Sequence, residues 1–120
     1  MENEIKNAII VFHYAEKIKS NLIIAAKLLE ALENMKEDEV IGAEKILASY
    51  FNALIMEVNI AANASEENSF KDVSEKLDEV IKLVLQHNYA EAIRLVSETI
   101  SIVTTNGNSS AEILREKNLI

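Results

Sequence analysis

An all-α fold, an antiparallel four-helix bundle, follows from three features of this 120-residue chain. Proline is absent and the only glycines are Gly42 and Gly107, so the residues that punctuate strands and tight turns are nearly missing. Isoleucine, leucine, valine and alanine recur at intervals of three and four rather than alternating, which is the helical period. The rhythm lapses at 34–39, 63–68 and 86–91, dividing the chain into a long helix 1, an apolar helix 2 and a helix 3–4 hairpin, with a short C-terminal helical turn after Asn106-Gly107. The length suits one domain over 1–120.

Helix 1 is expected from Glu2 to Met35. Its core stripe, Ala8, Val11, Ala15, Ile18, Leu22, Ala25, Leu29 and Leu32, steps by three and four throughout and keeps one seam toward its neighbours. At 1.5 Å per residue it would be about 50 Å long, which suits an elongated bundle. Ile9, Ile10, Ile23 and Ile24 fall off that seam and need cover. The acids Glu37, Asp38 and Glu39 gather where helix 2 would start, complementing the positive end of its dipole.

Helix 2, over 40–63, is apolar on almost every side. Val40, Ala43, Leu47, Tyr50, Leu54 and Ala61 form one seam, with Ile46, Ala53 and Ile60 beside it and Phe51 and Val58 widening the face. A second heptad row, Ile41, Ala48, Ile55 and Ala62, lies opposite. Too few charges remain to solvate an outer helix. Its greasiness is expected to be covered by a second copy or a partner, since small monomers rarely leave large apolar patches in water.

Ser69 with Asp72 is expected to cap helix 3, which turns Phe70, Val73, Leu77, Val80, Ile81 and Val84 inward and a dense set of charges outward. Asn88 with Glu91 is expected to cap helix 4 in the same way, burying Ala92, Ile93, Val96, Ile100 and Val103. Helix 4 should stop at Asn106-Gly107, a left-handed C-terminal signal, and Ser109 with Glu112 should open the final turn before Leu119 and Ile120.

The absence of cysteine excludes a disulfide framework, a thiolate zinc site and cysteine catalysis. The N-terminus lacks the basic start and small-residue cleavage site of a secretory signal. Asn52, Glu57, Asn59 and Asn63 interrupt the longest apolar stretch, arguing against a membrane span. A cytoplasmic location is therefore expected. The net charge is −8 and the basic residues are interleaved with glutamate, so direct nucleic-acid binding is not expected.

Chemistry has few handles. His13 with Glu16 and His87 with Glu91 are close in sequence, but di-iron bundles use Glu-x-x-His, which this chain lacks. Neither Arg94 nor Arg115 is followed by a histidine, and there is no glycine-rich phosphate loop. No catalytic residue, cofactor or metal site is expected. Glu57 is the exception to watch, because it falls on helix 2's core seam, where an unpartnered carboxylate is costly.

Helices 3 and 4 resemble one tetratricopeptide hairpin, with Asn88-Tyr89 at the turn and Ala92-Ile93 opening the second helix. Lys76 and Val80 depart from the large and small residues of that pattern. The resemblance implies a binding module.

The expected function is a non-enzymatic interaction or scaffold module that forms a homodimer or binds a protein partner. The expected interface is Ile41, Ala48, Ile55 and Ala62, with Ile23 and Ile24 of helix 1. One alternative is a small-ligand or metal-dependent enzyme built around Glu57, His13, His87 and the tyrosines. Another is an accessory subunit of a nucleoprotein complex.

Overall fold

The computed structural model describes residues 2–120. Four helices, α1 (Glu2–Glu33), α2 (Glu37–Ala64), α3 (Ser69–Leu85) and α4 (Tyr89–Glu116), make up the chain, with no strand among the described residues. Each packs on its sequence neighbours, and α4 closes the ring against α1; the backbones of the diagonal pairs stay apart, with no Cα atoms within 8 Å of each other. The result is an elongated antiparallel bundle of 55 × 21 × 18 Å.

The seam of α1 is buried residue for residue, from Ala8 to Leu32. It meets Leu47, Phe51, Leu54 and Val58 of α2, Phe70 to Val84 of α3, and Ala92, Leu95, Val96 and Val103 of α4 in one continuous core. No buried side-chain nitrogen or oxygen among the described residues lacks a hydrogen-bond partner. Thr99, fully buried, returns its hydroxyl to the Val96 carbonyl at 2.6 Å.

Helix α4 does not stop at Asn106-Gly107 but runs unbroken to Glu116. Gly107 has an ordinary negative φ and serves close approach instead. A Cβ there would lie 3.2 Å from Glu16 Oε1 and 3.6 Å from Ala15 Cβ, so the missing side chain lets α4 settle onto the small residues of α1. Asn106 is buried and donates from Nδ2 to Ser69 Oγ at 2.8 Å, tying α4 to the start of α3. The expected separate C-terminal turn is thus the last part of α4.

The caps also differ from the pattern reading. Ser69 is the first residue of α3, behind Asn68, and its hydroxyl contacts Glu67 and Asn106. Asn88 makes no side-chain cap bond; Glu91 turns to Arg94, which bridges it to Glu98. The guanidinium holds the Glu91 carboxyl below its usual range, chiefly by hydrogen bonding. Among the described residues only α2 keeps half of a capping box, with the Lys36 N–H donating to Glu39 Oε1 at 3.2 Å.

Helices α3 and α4 both end in Schellman motifs. At α3 the Asn88 and His87 N–H groups donate to the Leu83 and Val84 carbonyls at 2.9 and 3.0 Å, with His87 left-handed at φ 64°. At α4 Asn118 takes that role at φ 59°, and the Leu119 N–H reaches the Leu114 carbonyl at 2.8 Å. The second motif folds Leu119 and Ile120 back beside Ile9, Phe12 and Leu114.

Candidate functional site

Two places stand apart from an ordinary bundle surface, and α2 contributes to both. The first is the outer side of the α1/α2 pair. Successive helix residues are 100° apart, so with Leu47 and Leu54 in the core, Ile46, Ala53 and Ile60 point out along the α1 edge. Ile46 is 74 % exposed, Met56 67 % and Ile60 55 %. The pattern reading set Ile46, Ala53 and Ile60 beside the core seam; α1 covers α2 only as far as Ala43, Tyr50 and Glu57, and these three lie beyond it. From α1 the same side receives Ile24 and Leu28, and from the α1–α2 connection Met35, all exposed. Between them an apolar cleft of about 270 Å³ opens, lined by Leu28, Ala31, Leu32, Met35, Ala43, Ile46, Leu47 and Tyr50.

Past Tyr50, which lines this cleft, the α1/α2 groove is polar and its side chains are paired. Lys17 Nζ sits 3.2 Å from Glu57 Oε2, Asn21 Nδ2 donates to Glu57 Oε1 at 3.1 Å, and the Tyr50 hydroxyl donates to the Asn21 carbonyl at 3.0 Å. Burial and the Glu57 charge raise the Tyr50 phenol above its usual range. Glu57, the seam carboxylate singled out from the sequence, therefore reaches the bundle edge and finds a lysine there. His13 does not approach it: that ring stacks edge-on against Tyr14 and lines the cleft beside Leu119 and Ile120.

The structure does not gather the six expected interface residues into one patch. Ile24 lies two turns beyond Lys17, on the α2 side of α1. Ile23 lies two turns beyond Glu16, which packs at Gly107 on the α4 side. Ile41 is exposed beside His87 and Tyr89. Ala48, Ile55 and Ala62 are half-buried, and the last two pack against the core.

The second place is built on Glu44, which the sequence did not single out, together with His87 and Tyr89, which the alternative site had included. Glu44, only 4 % exposed, accepts hydrogen bonds on one oxygen, Oε2, from both His87 Nδ1, at 2.6 Å, and the Tyr89 hydroxyl. Burial first, and then the bond and charge of Glu44, push the Tyr89 phenol up to about 12. A cleft of about 350 Å³ lined by Glu37, Val40, Ile41, His87 and Tyr89 lies alongside. A signal was present: Glu44, Phe51 and Val58 share one heptad row, so a carboxylate at 44 had to enter the core. Its partners come from the α3–α4 turn, which no spacing within α2 could reveal. Chemically, Glu44 orients the imidazole and leaves the mostly exposed His87 ring its second nitrogen free to meet solvent.

Among the described residues no three His, Asp or Glu side chains come together in a way that could hold a metal ion. No described helix is long and apolar enough to cross a membrane. Comparison with known proteins returns no matching family model, no matching curated protein and no matching solved structure.

Proposed function

We propose that this protein is a helical docking module that works by burying the outer α1/α2 side against another helical surface. The observation that carries this reading is the exposure of Leu28, Met35 and Ile46 around a cleft that is itself apolar, with Ile24, Met56 and Ile60 exposed further along the same side. Large exposed patches of this kind mark interaction surfaces, and apolar burial there contributes about 25 cal/mol per Å² before the costs of association. Over Ile46–Ala64 the only charge is Glu57, already paired with Lys17, so little charge has to be desolvated. The interface expected from the sequence is thereby shifted around α2, from the Ile41 row to the Ile46 row.

The test is sedimentation of the native chain, purified and in cell extract, beside Ile46→Asp and Leu28→Asp. The native chain should travel in a complex, and both variants should travel as folded monomers. A native chain that is monomeric in both settings, indistinguishable from its variants, would overturn the reading.

A second reading is favoured by one observation, the buried Glu44 carboxylate holding His87 and Tyr89. It moves an acid–base site from Glu57 to the α3–α4 turn. Loss of a ligand-induced shift in the His87 ring resonance on Glu44→Gln would support it; a ring indifferent to added small acids and bases would count against it.

A further inference from the structure

Resting on the docking reading, we infer that the surface met by the α1/α2 side is a second copy of this chain, packed antiparallel across a two-fold axis that passes beside Ala53. Ile46, Ala53 and Ile60 are spaced seven residues apart and form one line along the outside of α2. That line is a palindrome about Ala53. A two-fold axis perpendicular to α2 at that point sets Ile46 against the partner's Ile60, and Ile60 against the partner's Ile46, as an isologous interface requires. Alanine at the crossing allows the two helices to approach closely where their axes are nearest.

The flanking rows suit self-pairing. Ser49 falls opposite the partner's Met56, and Asn52 falls opposite itself. An amide carries both donor and acceptor, so it bonds to its own copy, whereas a lysine or glutamate there would face its own charge. This matters for a chain of net charge −8, because two copies repel wherever acids face acids. The strip from Ile46 to Ala64 is where that repulsion is least: its one carboxylate is paired with Lys17 at 3.2 Å. Helix α3 could not serve, since its outer side carries Asp72, Glu75, Asp78 and Glu79.

The area is sufficient. A stable dimer needs roughly 800 Å² per partner, about the projection of a side 40 Å by 20 Å. One flank of a 55 × 21 × 18 Å bundle supplies it.

The native chain has no cysteine, so engineered thiols report alone. Ala53→Cys should close a disulfide with its own copy under mild oxidation, because the bond forms only where Cα atoms come within about 7 Å. Ile46→Cys and Ile60→Cys should each cross-link poorly alone, their own copies lying about 20 Å apart at 1.5 Å per residue, and efficiently when mixed. Relative to Asp78→Cys on α3, Ala53→Cys and the mixture should react about a hundredfold faster, since association raises the local thiol concentration from micromolar toward millimolar. Cross-linking of Ile46→Cys with itself as fast as with Ile60→Cys would overturn the antiparallel axis. A native dimer by light scattering in which none of these pairs closes would overturn the inference and leave the docking reading standing. So would a purified monomer that forms an Ile46→Asp-sensitive complex with a different protein. A native chain that never associates removes both.

Discussion

Helices α2 and α3 lie side by side and bury comparable inner stripes: Leu47, Phe51, Leu54, Val58 and Ala61 on one, Phe70, Val73, Leu77, Val80 and Val84 on the other. Outward, α3 shows Lys71, Asp72, Glu75, Asp78, Glu79 and Lys82, with Lys82 and Asp78 paired one turn apart at 3.7 Å. Helix α2 shows Ile46, Ser49, Asn52, Ala53, Met56, Asn59 and Ile60. Both occupy outer positions in the same bundle, and α1 and α4 shield neither from solvent on that side. Folding alone explains α3. It leaves the apolar outside of α2 unexplained, because the core is already closed without those residues.

The comparison predicts equal inner faces and unequal outer ones. The largest effect is expected in the core. Phe51→Ala on α2 should cost about 3–5 kcal/mol and Leu77→Ala on α3 about 2–5 kcal/mol, read as loss of unfolding free energy in urea. A cost at Phe51 far below that at Leu77 would mean that α2 is not a full member of the core.

A smaller effect is expected where α2 meets the α3–α4 turn. Glu44→Gln should cost about 1–3 kcal/mol, since it weakens two bonds to a buried acceptor. It should also bring the Tyr89 titration down from about 12 toward its usual range, seen as phenolate absorbance against pH. The sign of the linkage follows from the raised phenol. Its stabilising share is complete below the unfolded value of 10.0 and is lost as pH climbs through about 12. The native chain should therefore lose stability across that window by more than Glu44→Gln does. Equal losses would separate Tyr89 from Glu44.

Gly42→Ala should add about 0.5–1 kcal/mol, because a Cβ there meets nothing within 4 Å and glycine is a poor residue inside a helix. Its melting temperature should rise; a fall would show that position 42 is already covered by another surface.

The smallest stability effects belong to the outer faces, where the contrast is sharpest. Measured below the concentration at which the native chain associates, Ile46→Asp and Asp78→Ala should each change unfolding free energy by less than about 0.5 kcal/mol. Only Ile46→Asp should alter sedimentation. If Asp78→Ala alters it equally, the two outer faces are alike and the docking reading loses its basis.

Much of the fold was legible in the residues. The unbroken three-four spacing of α1 named its buried stripe without error, since an isolated helix geometry maps period directly onto face. The α4 terminus was not legible: Asn106-Gly107 carries the letters of a stop signal, but here the glycine answers a neighbour, Ala15, that lies far away in sequence. The caps at Ser69 and Asn88 failed for a related reason. Each side chain had competing partners, Asn106 for Ser69 and Arg94 for Glu91, supplied by packing or by the next turn.

The sequence by itself determined the helical class, the four segments, the inner stripe of α1 and the apolar excess of α2, because these depend on local period and composition. Only the tertiary structure decided which side of that excess faces solvent. Once α1 and α3 flank α2, Ile55 and Ala62 are half covered and Ile46, Met56 and Ile60 are not. It alone also revealed Glu44 with His87 and Tyr89, since a hydrogen bond between residues more than forty positions apart depends on where two helices cross, which no local period encodes.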